Sequence, residues 1–298
     1  MWLFEEKNLE VSTIRGYRAA LGKVLKLASD TDLSEDPFLR SLLTNFSNER
    51  PVRDNHYPKW DLSLVLTALT KPPYEPLSAA SMLHLSRKTA FLLLLASGAR
   101  RSEIHALDIS QSIIKHDGTG MTLKPNIKFM AKNFNPVSGY GNFEGFQISA
   151  LKSYVGNDLP EDASLCPVRA VKEYMKRTKK KRGNIKQLFL ACNNKGIARP
   201  AHKNTISSWT KYTIAEAYQT TPDNAISLLH RATHEIRALA SSLCMFQNVR
   251  IEDILKQCRW SRRSTFTSHY MRDLSRTTDG LFLLAPLMAA GEVVTPRQ

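Results

Sequence analysis

The sequence predicts a mainly α-helical protein that carries one small antiparallel β-sheet, an α+β fold. Several segments repeat apolar residues every three or four positions, which is the spacing of a helix with one buried face. This period disappears between Ile109 and Ile148, where short apolar runs alternate with Gly and Asn, as is typical of strands and turns. Helical spacing returns at Pro167, a residue type favoured at the first position of a helix.

The N-terminal segment predicts a small helical unit over residues 1–50. One helix is expected from Ser12, its N-cap, with an apolar face made of Ile14, Tyr17, Leu21, Val24 and Leu25. A second helix is expected to begin near Pro37 and to end before Pro51. The segment 48–59 (NERPVRDNHYPK) has two prolines and little apolar content, which predicts a linker. A larger domain over 56–275 and a C-terminal tail over 276–298 are therefore expected.

Further helices are predicted in the larger domain. Residues 61–70 and 78–96 are separated by KPPYEP, which a helix cannot cross, and Gly98 is expected to end the second of them. Later helices are expected around 203–218, 231–246, 249–257 and 264–273. The apolar run 89–96 is much shorter than the roughly 20 residues that span a bilayer, so it predicts a core helix and no membrane partner.

The composition favours a polyanionic partner. Lys and Arg number 42 against 27 Asp and Glu, which leaves a formal charge of +15. The four cysteines lie far apart without a CxxC pair, which predicts reduced, mostly buried thiols in an intracellular protein without an export signal. Carboxylates do not cluster with convincing ligand spacing, so a metal-dependent integrase is disfavoured and no metal site is expected. No other cofactor is expected.

The segment THEIRALASSLCMF, from Thr233, contains the first candidate motif. Steps of about 100° per residue put an apolar face on one side of a helix, made of Ile236, Leu239, Leu243 and Phe246. His234 and Arg237 fall together on the other side. Arg can hold phosphate oxygens in bidentate fashion while His moves a proton. The alternative is that both are ordinary solvated polar residues.

Arg100, in Ser97-Gly98-Ala99-Arg100-Arg101-Ser102-Glu103, is the second candidate. Gly98 lets the backbone turn, so Arg100 is expected to project at a helix start, where Glu103 could orient its guanidinium. The alternative is an ordinary surface pair of Arg and Glu.

The third candidate is Tyr270, expected on a helix capped by Ser264. Cations surround it in sequence, at Arg259, Arg262, Arg263, His269 and Arg272. Nearby cations stabilise a phenolate, the form that a tyrosine nucleophile needs. The alternative is a structural tyrosine on a basic surface that contacts DNA, and we predict DNA contacts for Arg259, Arg262 and Arg263.

A basic run occupies residues 176–182 (KRTKKKR) and includes Lys179, Lys180 and Lys181. Such a run is typical of a segment that follows a DNA backbone or acts as a nuclear localisation signal. The alternative is a solvated loop.

In chain order, the three motifs resemble those of the tyrosine recombinase (phage integrase) family. The matching residues are Arg100 in GARRSE, His234 and Arg237 in HEIR, Trp260, and Tyr270 in HYMRDL, and the resemblance covers about residues 10–275. It implies the catalytic fold of that family, preceded by a short helical core-binding unit. It also implies a proton-donating lysine in a β-hairpin, for which Lys132 and Lys128 are candidates. Lys132 is preferred because it precedes an Asn-Phe-Asn-Pro turn.

The resemblance implies cleavage and rejoining of double-stranded DNA through a 3′-phosphotyrosine, without metal or ATP, by a tetramer on paired sites. WSRRSTFTSHYMRDL and LCPVRAVKEYMKRT look similar to recombinases of DIRS-like retrotransposons and related animal elements, which implies integration in a nucleus. Cys258-Arg259 departs from the usual Leu-Gly, one residue is added between Trp260 and Tyr270, and the N-terminal unit is short. The alternatives are relaxation of DNA by a type IB topoisomerase and a domesticated DNA-binding protein without activity.

Overall fold

A computed structural model of the chain divides it into two compact units, Met1–Asn55 and His56–Gln298. The structure describes residues 1–29, 32–33, 35–51, 60–132, 134, 137, 139, 142–151, 160–192, 198–221, 223–224, 232–272 and 274. The predicted C-terminal tail over 276–298 lies outside the described residues, as does most of the predicted linker. The prediction of a mainly helical fold with a small antiparallel sheet is confirmed.

The first unit contains three helices, α1 (Trp2–Glu5), α2 (Val11–Ser29) and α3 (Pro37–Glu49). Asp36 is the N-cap of α3, where its side chain accepts the Leu39 backbone N–H at 2.9 Å. The small core is centred on Phe4 and Phe46, whose rings stack at 4.0 Å. The sequence predicted the second and third helices but not α1.

The expected cap of α2 was wrong, and most of its apolar face is exposed. Ser12 lies inside the helix, which begins at Val11, so Ser12 is not its N-cap. Of the predicted apolar face only Ile14 is buried, since Tyr17, Leu21, Val24 and Leu25 are between 37% and 62% exposed. The period of apolar residues forms one face as predicted, but within this unit α1 and α3 cover only the N-terminal part of that face.

The second unit is built around α5 (Met82–Ser97), whose buried residues include Phe91, Leu93 and Leu94. α4 (Leu62–Leu69) precedes it, capped by the side chain of Asp61. α5 begins four residues later than predicted because the Ser81 side chain accepts the His84 backbone N–H and caps the helix there. It ends at Gly98, in the left-handed conformation with φ 58, and α6 (Arg101–His105) follows.

The predicted sheet has three antiparallel strands in sequence order, β1 (Leu107–Ile114), β2 (Gly120–Pro125) and β3 (Phe146–Ser149). In register, Met121 lies opposite Ile148, and both are buried. A second antiparallel pair, β4 (Leu190–Cys192) and β5 (Ala198–Pro200), was not expected from the sequence. These strands are only three residues long, too short to show an alternating pattern.

The remaining helices follow the sheet: α7 (Pro160–Leu165), α8 (Pro167–Arg182), α9 (Lys203–Ala217), α10 (Ala232–Phe246), α11 (Ile251–Cys258) and α12 (Arg263–His269). α8, α9 and α10 all pack against α5. Phe246 was predicted on the buried face of α10, but it is 52% exposed at the end of that helix. Cys166 and Cys258 are buried, whereas Cys244 is exposed.

Candidate active site

Arg100 stands between the end of α5 and the start of α6. The backbone turns at Gly98, and Arg100 has extended dihedrals (φ −74, ψ 151), so Arg100 belongs to neither helix and lies in the turn between them. Glu103, in the first turn of α6, accepts the Arg100 backbone N–H at 2.7 Å and its Nη1 at 3.0 Å. The carboxylate therefore holds both the backbone and the guanidinium of Arg100.

Glu103 is completely buried and binds a second arginine. Arg259 donates from Nε to Oε1 at 3.3 Å and from Nη2 to Oε2, and its guanidinium also lies over the Phe143 ring, 4.5 Å from the centroid. Two guanidiniums thus share one buried carboxylate, which rules out an ordinary surface pair of Arg100 and Glu103. Only 14% of the Arg259 side chain is exposed, and the DNA contact expected of it stays a prediction.

Arg237 lies in the interior, with 1% of its surface exposed. Its Nη1 donates to the Gly98 carbonyl at 2.5 Å and its Nη2 to the Cys258 carbonyl. Burial lowers the pKa of Arg237, and the positive charge of Arg100 nearby acts in the same direction. The alternative of a solvated residue is wrong for Arg237, although His234, three residues earlier on α10, is exposed.

Trp260 and Tyr270 complete the group. The Trp260 ring lies 4.7 Å from the Arg237 guanidinium carbon and 4.5 Å from the Tyr270 ring centroid. The Tyr270 hydroxyl lies 3.4 Å from Nδ1 of His234. The tyrosine hydroxyl, the imidazole and the buried guanidinium therefore converge, although Tyr270 is more than 30 residues beyond His234 and Arg237 in the sequence.

Two buried N–H donors in this group are without an acceptor in the part of the chain that the structure describes. They are the Nε of Arg237 and the Nε1 of Trp260. Buried donors normally find a partner, because an unsatisfied polar group costs about 1–3 kcal/mol. Both donors belong to side chains that pack against Tyr270.

The helix that leads to Tyr270 differs from the prediction. α12 begins at Arg263, after the N-cap Arg262, so Ser264 lies inside the helix and is not its cap. Tyr270 is the first residue after the helix, with φ −123 and ψ −23. Tyr270 therefore approaches His234 from a non-helical position.

The two candidate lysines lie in the connection between β2 and β3. Lys132 is exposed beside the buried Ala131, and Lys128 is exposed four residues earlier. Neither ammonium group takes part in the described contacts of Tyr270. The structure therefore favours neither lysine as the proton donor.

The basic run 176–182 is helical, because α8 continues to Arg182, and the alternative of a solvated loop is wrong. Lys179, Lys180 and Lys181 are exposed at the end of α8, and Arg262 and Arg263 are exposed at the start of α12. Arg177 instead donates to the carbonyls of Leu77 and Ala80, and Arg182 to that of Leu188. The charges of this run are therefore divided between the surface and the interior.

Three anchors of the site were not predicted from the sequence. These are the carbonyls of Gly98 and Cys258, which hold Arg237, and the carboxylate of Glu235, which pairs with Arg272. A carbonyl has no sequence signature, but Glu235 could have been noticed as an acid placed directly after His234 in a basic chain.

No group of three or more His, Cys, Asp or Glu side chains among the described residues is arranged to hold a metal ion. None of the helices described is both long and apolar enough to cross a membrane.

No protein-family model matches the chain, and no curated protein matches its sequence. Among solved structures, the chain is similar to a XerA recombinase at 13% sequence identity and a TM-score of 0.45. The match covers 98% of this chain and 86% of that chain. Because both the identity and the TM-score are low, we base the functional proposal on the residues of the site.

Proposed function

We propose that this chain is a DNA strand transferase of the tyrosine recombinase type, in which Tyr270 attacks a DNA phosphate. The observation that carries the proposal is the approach of the Tyr270 hydroxyl to His234 (3.4 Å) beside the buried guanidinium of Arg237. The order of the motifs along the chain and the excess of basic residues support DNA as the substrate.

The reaction begins when the Tyr270 oxygen attacks phosphorus and its proton passes to His234. A phosphodiester under attack gains negative charge on its non-bridging oxygens, so fixed cations and N–H donors around it lower the barrier. Arg100 and Arg237 supply the cations. The Nε of Arg237 and the Nε1 of Trp260 lack an acceptor within the described protein, and both side chains pack against Tyr270.

The bond that breaks joins phosphorus to the 5′-oxygen, which takes a proton from Lys132 or Lys128. The products are a 3′-phosphotyrosyl enzyme and a free 5′-hydroxyl. Because one ester replaces another, a 5′-hydroxyl of a second strand can reverse the step without ATP. The arginines supply the charge stabilisation at phosphorus, so the proposal includes no metal.

Several narrower expectations accompany this proposal as predictions. They are a tetramer on paired DNA sites, a relation to DIRS-like retrotransposons, integration as the biological outcome, and a nuclear location. DNA contacts are predicted for the exposed side chains of Lys179, Lys180, Lys181, Arg262 and Arg263.

The first experiment traps the covalent intermediate. A nicked duplex releases a short 5′-hydroxyl strand after cleavage, so the phosphotyrosyl adduct accumulates and can be separated in denaturing gels. We expect an adduct with the wild-type protein in the presence of a chelator, and none with Tyr270→Phe, because phenylalanine has no nucleophilic oxygen. Tyr212→Phe is the matched control and should react as the wild type does. An adduct with Tyr270→Phe would disprove the assignment of the nucleophile.

The same protein then separates the alternatives. Exchange of strands between two labelled duplexes supports a recombinase, whereas relaxation of supercoiled plasmid without exchange would indicate a topoisomerase. DNA binding without an adduct would indicate a DNA-binding protein that lacks the activity.

A further inference from the structure

A buried ion pair joins the segment just after Tyr270 to helix α10. Arg272 donates from Nε to Oε1 of Glu235 at 2.9 Å and from Nη2 to Oε2 at 2.7 Å. The exposed fraction is 11% for the Arg272 side chain and 6% for that of Glu235. This is the two-pronged geometry in which arginine and carboxylate bind most strongly.

The backbone of the same segment is bound to α10 as well. The Arg272 backbone N–H donates to Oγ of Ser242 at 2.8 Å, and that hydroxyl donates to the Tyr270 carbonyl at 3.4 Å. Glu235 and Ser242 are seven residues apart, so they lie two turns apart on one face of the helix. Residues 270–272 are thus attached to α10 at two points.

This attachment holds the backbone on the C-terminal side of Tyr270. Tyr270 follows the last residue of α12, where the backbone N–H groups of Tyr270 and Met271 both donate to the Phe266 carbonyl, at 2.9 and 2.8 Å. Glu235 is the neighbour of His234 on α10, so the ion pair connects the segment that carries the tyrosine to the helix that carries the imidazole.

The contacts of Arg272 also distinguish its role from that of a phosphate ligand. Its Nε and Nη2 point to Glu235, and its Nη1 donates to the carbonyls of Met271 (3.2 Å) and His269 (3.5 Å). Arg272 is one of the cations near Tyr270 in sequence, but the carboxylate of Glu235 neutralises its charge.

We propose that the Arg272–Glu235 ion pair, which we call the clasp, positions Tyr270 beside His234 for attack on the phosphate. Arg272 and Glu235 are positioning residues, since neither touches the reacting atoms. This inference rests on the proposed function, because it presupposes that Tyr270 is the nucleophile. It predicts that loss of the clasp slows the covalent step but leaves DNA affinity unchanged.

The test compares three variants, Arg272→Met, Glu235→Gln and the double variant. A single variant leaves one polar partner unpaired in a buried place, which could impair folding. The double variant replaces the whole pair by neutral side chains, a change that proteins often tolerate, and therefore keeps the test decisive. Arg169→Met is the matched control, because Arg169 also binds a glutamate, Glu75, through two nitrogens, and Glu75 keeps Lys88 as a partner.

Two quantities are measured for each folded variant: the rate of adduct formation at saturating nicked DNA, and the dissociation constant for the same DNA. A displacement of about 1 Å in a reacting group can slow a reaction by about a hundredfold, so we expect the double variant to react about 10- to 100-fold more slowly. Its dissociation constant should stay within about twofold of the wild type, because binding uses other residues. Arg169→Met should react at the wild-type rate.

The single variants test whether the two residues act together. Since each acts through the other, the double variant should be no slower than the slower single variant. If the fold loss of rate in the double variant equals the product of the losses in the two single variants, the two residues act independently and the clasp is overturned. A double variant that reacts at the wild-type rate would also overturn it. Equal losses of rate and affinity would also overturn it. If the wild-type protein itself forms no adduct, both the proposed function and the clasp are disproved.

Discussion

Arg259 provides a quantitative test of how the candidate site is held together. This residue follows α11 in the left-handed conformation (φ 53), which is unfavourable for every residue except glycine. Its guanidinium compensates by binding the buried carboxylate of Glu103 through Nε and Nη2. Replacement by Ala removes the ion pair and keeps the backbone strain, whereas replacement by Gly removes both.

The magnitudes follow from these contacts. Breaking a buried ion pair costs about 3–5 kcal/mol when the remaining charge is left alone. Here Arg100 still binds Glu103, so we expect Arg259→Ala to lower the free energy of unfolding by about 2–3 kcal/mol, the size of one strong charged hydrogen bond. Arg259→Gly should be about 1 kcal/mol more stable than Arg259→Ala, because glycine adopts the left-handed conformation without strain.

Urea denaturation followed by circular dichroism measures both differences. The control is Arg262→Ala, an exposed arginine three residues further on, which should change the free energy of unfolding by less than about 0.5 kcal/mol. The reasoning is refuted if Arg259→Ala is as stable as the control, or if the Gly variant is the less stable of the pair.

Two further predictions concern salt and pH. Affinity for double-stranded DNA should fall by at least about tenfold between about 50 and 200 mM salt, because phosphate contacts release counterions; a flat titration would contradict a phosphate-binding surface. Burial, together with the neighbouring Glu216, raises the pKa of Tyr74. The folded protein therefore keeps the Tyr74 proton where the unfolded chain loses it, and stability should fall as pH rises above about 10. In unfolding experiments at alkaline pH, the loss of stability should be smaller for Tyr74→Phe than for the wild type. If the free energy of unfolding falls equally steeply with pH in the two proteins, Tyr74 is not the cause of the loss.

The ends of helices and the place of the sheet could be predicted from the sequence, because they depend on residues that are neighbours in the chain. Gly98 ends α5 in the left-handed conformation, Pro167 begins α8, and the loss of helical period after Ile109 marks the sheet. In each case the chain carries a residue whose backbone preference acts within one or two turns, so no distant contact is needed to decide the outcome.

Burial was predicted less well than helix position. Arg237 was assigned to the side of α10 opposite its apolar face and is buried, whereas Phe246, on that apolar face, and most of the apolar face of α2 are exposed. The period of a helix tells which residues share a face, but the packing of other helices decides how much of that face is covered.

The amino-acid sequence by itself determined the order of most helices, the place of the three-stranded sheet, the excess of positive charge and the residues with suitable chemistry for a phosphate. Only the tertiary structure decided which charges are already neutralised. Arg259 and Arg272 appear in sequence as two cations near Tyr270, yet they bind Glu103, 156 residues away, and Glu235, 37 residues away. A carboxylate neutralises a guanidinium when the two lie within a few ångströms, whatever their separation along the chain, and folding alone sets that distance.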